Sequence, residues 1–178
     1  MKIKTHALLT AFFLVIPASL LAHGPTPQKA KESLSINVSV DKVWEVIKQF
    51  DKISAWHSDI MKSTGDGKLE SGGSRTITFQ NGEELSDELD AYSEAEHEYS
   101  YRMKKENVKA LPVSSYSVTV QVEPSANQSS SVVTLKSRFY RGDTGNTPTE
   151  QLSDEAAVNA MSAYFKNGLN SLKQKLEK

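Results

Sequence analysis

The chain has 178 residues, 21 basic against 22 acidic, and no cysteine. The missing thiols exclude a disulfide framework, a thiolate metal centre and a cysteine nucleophile. The slightly acidic balance argues against nucleic acid as a partner.

Lys2 and Lys4 open the chain, Ala7 to Leu21 is almost wholly apolar, and Ala22 offers a small residue for cleavage. These are the three zones of a secretory signal peptide over residues 1–22. The apolar run, about 15 residues broken by Pro17, is shorter than the roughly 20 that span a bilayer, which weighs against a membrane anchor. Cleavage near Ala22 removes two basic residues and no acidic one, leaving 19 against 22, a formal charge of −3. The expected product is a periplasmic protein with no stable membrane anchor. Its remaining 156 residues suffice for one domain held together by packing alone. His23 would then be the first residue, and its α-amine and imidazole together suit copper; a solvated arm is the alternative. No other metal ligand set and no cofactor motif occurs in the sequence.

Pro25 and Pro27 suggest an extended arm over residues 23–32, before a domain at 33–178. Leu34, Ile36, Val38 and Val40 alternate with polar residues, the period of a strand with one buried face. Asp41 suits a helix N-cap, with Val43, Trp44, Ile47 and Phe50 at helical spacing, and a second helical turn is expected at Ser54 to Asp59. Strands follow at Ser74 to Phe79, Leu85 to Ala91, Tyr99 to Met103, Ser114 to Val122 and Ser131 to Tyr140, with a weaker one near Ile60 to Thr64. Gly72-Gly73, Asn81-Gly82 and Pro124 to Ser129 supply the turns of an antiparallel sheet, wet on one face and dry on the other. Ser153 reads as an N-cap, and Val158, Met161, Phe165, Leu169, Leu172 and Leu176 form one apolar stripe on a long terminal helix that covers the dry face.

This α+β order resembles the START-like, or SRPBCC, helix-grip superfamily, in which a curved antiparallel sheet wraps a long C-terminal helix. The resemblance covers Leu34 to Leu176 and implies an apolar ligand held between helix and sheet. A narrower one rests on His23 to Gln28, Val43-Trp44 through Trp56-His57, Leu111 to Ser114 with Tyr116, Phe139 to Gly142, and Leu152 to Val158. Their order and spacing are similar to the MxaD-type periplasmic proteins of methanol-oxidising bacteria. That similarity implies a non-enzymatic accessory of methanol dehydrogenase, assisting its assembly or its contact with its cytochrome c. The alternative function is a periplasmic carrier of a lipid or other apolar small molecule.

Trp56 and His57 stand where the chain faces the mouth of such a fold. They gate a pocket, with His57 a polar contact or general base, or else Trp56 is core and His57 a surface or capping residue. Tyr99, Tyr101, Tyr116, Phe139, Met161 and Phe165 share inward parity and either line a ligand cavity or fill a core. The acidic run from Glu83 to Glu98 places Glu84, Glu88 and Asp90 on the wet face, as a docking patch or a plainly solvated surface. Asp87 has the parity of the buried face and needs a cation. A three-residue loop, Gln80 to Gly82 with Gly82 left-handed, would oppose it to Arg75, as a structural pair or a polar anchor for a ligand.

Overall fold

The computed structural model describes residues 24–126 and 129–178. The signal-peptide reading of residues 1–22 and the copper reading of His23 lie outside the described residues. Seven strands form one antiparallel sheet: β1 (Gln28–Ile36), β2 (Ile60–Gly65), β3 (Ser74–Phe79), β4 (Glu84–Ser93), β5 (Glu98–Lys105), β6 (Val113–Pro124) and β7 (Ser131–Arg141). Their order is β1-β7-β6-β5-β4-β3-β2. Strands β2 to β7 are successive hairpin neighbours, and β1 joins β7 at the far edge. Helix α1 (Val40–Ile47) and a 3-10 segment (Phe50–Ala55) carry the chain from one edge to the other, and α2 (Asp154–Leu176) closes the fold.

The dry face alternates as expected. Ile77, Leu85, Leu89, Val118, Val120 and Leu135 are buried and meet Met161, Phe165, Leu169 and Leu172 of α2. Ser153 caps α2, its hydroxyl accepting from the Ala156 N–H at 3.2 Å, with Asp154 and Glu155 in the first turn where the helix dipole favours them. The β3–β4 hairpin has the three-residue loop. Gly82 is left-handed at φ 83°, the Phe79 N–H donates to the Glu83 carbonyl at 2.9 Å, and Ile77 opposes Leu85 while Arg75 opposes Asp87.

Several boundaries differ from the sequence reading. The first strand ends at Ile36, leaving Val38 outside it and Val40 as the first residue of α1, because the chain must turn there into the helix. β1 begins at Gln28 and not near Leu34, so residues 28–32, expected in the arm, pair with β7 as far as Glu32 opposite Leu135. The apolar signal is missing there because the inward positions carry Gln28, Ala30 and Glu32, the last 3.6 Å from Lys166 of α2. Ser39, extended at φ −61° and ψ 154°, takes the N-cap position of α1 and leaves Asp41 in the first turn. The second helical segment ends at Ala55 rather than spanning Ser54 to Asp59, because Phe50 and Ile53 are the residues it buries. Within the sheet, a register shift between Leu89 and Ala91 turns Tyr92 inward against Trp44 at 5.7 Å between ring centroids.

Candidate functional site

The inward face of β3 and β4 holds a buried charge pair. Arg75 Nε donates to Asp87 Oδ2 at 2.8 Å, with side-chain exposures of 1% and 0%, so solvent stabilises neither charge. The other carboxylate oxygen accepts from the Tyr116 hydroxyl of β6 at 2.6 Å. Arg75 Nη1 donates to the Phe50 carbonyl at 2.9 Å, which ties the 3-10 segment to the sheet. The guanidinium carbon lies 4.1 Å from the Phe50 ring centre and 4.5 Å from that of Tyr101, a cation between two aromatic faces. Burial, the largest single influence, would pull the Arg75 pKa down, but Asp87 together with the surrounding Tyr101, Tyr164 and Tyr99 outweighs it and holds the group above its ordinary value. Burial, and then Asp87, pushes the Tyr116 hydroxyl well up. Nη2 of Arg75 makes no well-formed hydrogen bond, although the guanidinium also lies close to Tyr99.

Beside this centre lies His57, also buried. Its Nδ1 accepts from the Asp59 N–H at 3.3 Å, so the proton sits on Nε2. The ring stacks on Tyr164 of α2 at 4.2 Å and fits against the helix backbone at Gly168. A Cβ there would stand 2.6 Å from His57 Cδ2 and 2.7 Å from Nε2. That contact explains a glycine in mid-helix, where it is otherwise unfavourable by about 1 kcal/mol relative to alanine. Burial, with Arg75 adding to it, lowers the His57 pKa to about 3. A base that weak, walled off from solvent, takes no proton near neutrality. His57 is therefore not the surface residue that the sequence allowed, while its Nδ1 accepts a nearby backbone N–H as a capping residue would.

Trp56, Tyr99, Tyr101, Tyr116, Phe139, Met161 and Phe165 are all buried. They pack on one another, with Tyr99 and Tyr101 at 6.1 Å and Tyr101 and Tyr116 at 6.2 Å between ring centres. These side chains fill the space between sheet and helix. An opening remains at the mouth, a cleft of about 270 Å³ lined by Phe79, Asn81, Leu111, Ala160, Ala163 and Tyr164. Tyr164 thus forms part of the cleft wall on one side and stacks on His57 on the other. Tyr164 and Gly168 escaped sequence reasoning. Tyr164 falls beside the apolar stripe, and the mid-helix glycine was the one available signal of a close approach.

The acidic wet-face candidates divide. Glu88 is paired with Arg102 at 2.6 Å and with Lys104 at 2.8 Å, and Asp90 is paired with the same Arg102. Glu84 accepts from the Thr78 hydroxyl at 3.1 Å and has no ion pair among the described residues. No group of three or more His, Asp or Glu is placed to hold a metal ion among the described residues.

A family described as polyketide cyclase / dehydrase and lipid transport matches residues 27–177. Among solved structures, an uncharacterised protein of Bacillus thuringiensis is 26% identical with a TM-score of 0.69, covering 85% of this chain and 100% of its own. The protein XoxI of Bacillus cereus is 27% identical with a TM-score of 0.69, covering 84% and 96%. A protein of Nitrosospira multiformis, 23% identical with a TM-score of 0.67 over 84% and 96%, shares the fold. No curated protein matches the sequence.

Proposed function

The chain belongs to the polyketide cyclase / dehydrase and lipid transport family, and from that premise we propose a non-catalytic binding role exerted from the protein's surface. The specific reading is a periplasmic accessory of methanol oxidation that assists methanol dehydrogenase in its assembly or in meeting its cytochrome c. The observation that carries a surface role is the filled interior: the space in which a helix-grip protein would hold a ligand is occupied by Tyr99, Tyr101, Tyr116 and Phe165. The methanol assignment rests on the sequence similarity of His23 to Gln28, Trp56-His57 and Leu152 to Val158, and export rests on the charge and apolar pattern of residues 1–22. The test is methanol-dependent cytochrome c reduction with purified components, with and without this protein. Stimulation is expected, and none at any salt concentration overturns the reading.

A second reading, a carrier of a small apolar molecule, is favoured by one observation. The apolar cleft beside Tyr164 lies over an interior holding two buried donors without a well-formed hydrogen bond, His57 Nε2, whose nearest acceptor is the Tyr164 backbone, and Arg75 Nη2, close to Tyr99. A small ligand with one acceptor group would satisfy such donors if Tyr164 swung aside. Solvent extraction and mass analysis of the protein purified from its host would return one dominant co-purified compound if this holds.

A further inference from the structure

The surface carries a second, opposite charge feature. Lys29 and Lys31 of β1 lie directly across from Arg138 and Lys136 of β7. All four side chains are exposed on the wet face, and none forms an ion pair with a carboxylate among the described residues. Like charges placed opposite each other on neighbouring strands destabilise a sheet. The contrast with β4 and β5 is direct, since Arg102 and Lys104 there are matched by Glu88 and Asp90. An acidic chain therefore concentrates four unmatched cations on one patch. Ser117 and Thr119 of β6 continue the patch, with Lys29, Lys136 and Arg138, around a shallow cleft of about 240 Å³.

We propose that the β1–β7 face is a docking surface for the acidic face of a partner protein. Charge complementarity selects an anionic occupant, and the neighbouring hydroxyls give it hydrogen-bonding neighbours. A lipid surface is the poorer fit because the apolar side chains that share this face of β7, Val132 and Tyr140, are partly buried and so poorly placed for insertion. Among the described residues the exposed large hydrophobic, Met61 at 57% exposure, lies on β2 at the opposite edge. A nucleic acid is disfavoured by the acidic balance of the whole chain. The inference deepens the surface-acting role and rests on it, but it does not depend on which reaction the partner performs.

The experiment titrates the isotopically labelled protein with a short Asp/Glu-rich peptide, with a Gln-rich peptide of equal length as control, and follows the backbone amides by NMR. Expected are shifts confined to β1, β7 and the Ser117 to Thr119 segment, weakening as salt rises, and none with the control. The double variant Lys31→Glu/Lys136→Glu should bind roughly tenfold more weakly or worse. The single variant Lys31→Glu, which creates an opposite-charge pair with Lys136, should bind more weakly while unfolding no more easily than the parent. Shifts centred elsewhere, or affinity unchanged in the double variant, overturn the proposal. So does equal binding to phosphatidylglycerol vesicles, or self-association through the same residues. Peptide binding without any effect on cytochrome reduction would leave this surface standing and remove the methanol reading alone.

Discussion

Asp87 lies between Leu85 and Leu89 on the buried face, and its charge is sustained there by Arg75 Nε and the Tyr116 hydroxyl. Removing one partner of such a pair strands the other, so Asp87→Ala should lower stability in urea by about 3–5 kcal/mol. The joint replacement Arg75→Met/Asp87→Leu should lie far closer to wild type, because no charge is left uncompensated. Both carboxylate and cation were legible in the sequence, since strand parity and loop length fix which residues oppose. Tyr116 as the carboxylate's second donor was not, because β6 reaches it only through tertiary packing. The same limit hid the His57–Gly168 contact, from which a sign reversal follows. In the parent, Gly168→Ala should destabilise by about 1–3 kcal/mol through overpacking against the imidazole. In a His57→Ala background the clash is gone, and the same change should stabilise by up to about 1 kcal/mol. His57 also makes stability depend on pH. Its folded pKa of about 3 lies below the unfolded value near 6.5, so the unfolded chain binds the proton first. The contribution is complete above about pH 6.5 and is lost as pH falls toward 3, at up to about 1.4 kcal/mol per unit. Urea midpoints of the parent should therefore fall more steeply between about pH 6 and pH 4.5 than those of His57→Gln; parallel curves would contradict the buried neutral imidazole.

At the scale of the element, α2 is the part that a local period reads best. Met161, Phe165, Leu169 and Leu172 are buried, and Val158 and Leu176, at the ends of the stripe, are partly buried. Phe165→Ala should cost about 3–5 kcal/mol, whereas Ser153→Ala, which deletes the cap to Ala156, should cost about 1 kcal/mol. Chemical denaturation of both variants would rank core filling against helix capping, and a reversed order would mean that α2 is held mainly by its first turn. The hairpin of β3 and β4 was equally legible, because Gly82 accepts the left-handed backbone that a three-residue loop demands. β1 was half legible. Its period is broken by Glu32 on the inward side, and an ion pair with α2 cannot be seen along one strand. The shift near Asp90 was invisible for a related reason, since a bulge is defined by the partner strand and not by its own residues.

Across the whole molecule, the interior and the surface make opposed claims on function, and variants of each kind can be compared in one assay. Ala163 is exposed on α2 at the rim of the cleft, so Ala163→Trp should obstruct the opening without disturbing the core. Lys136 is exposed on the opposite, wet face of the sheet, so Lys136→Glu should alter charge without touching the cleft. If the protein acts from its surface, Ala163→Trp keeps the stimulation of methanol-dependent cytochrome reduction and Lys136→Glu loses most of it. Salt separates the cases further. The Debye length falls from about 10 Å at 0.1 M to about 3 Å at 1 M, so stimulation by the parent should fade over that range if attraction between unlike charges brings the partners together. A ligand held beside Tyr164 would be indifferent to that screening. Stimulation lost in Ala163→Trp, retained in Lys136→Glu and constant with salt would therefore transfer the function from the β1–β7 face to the cleft, with His57 and Arg75 as the donors behind it.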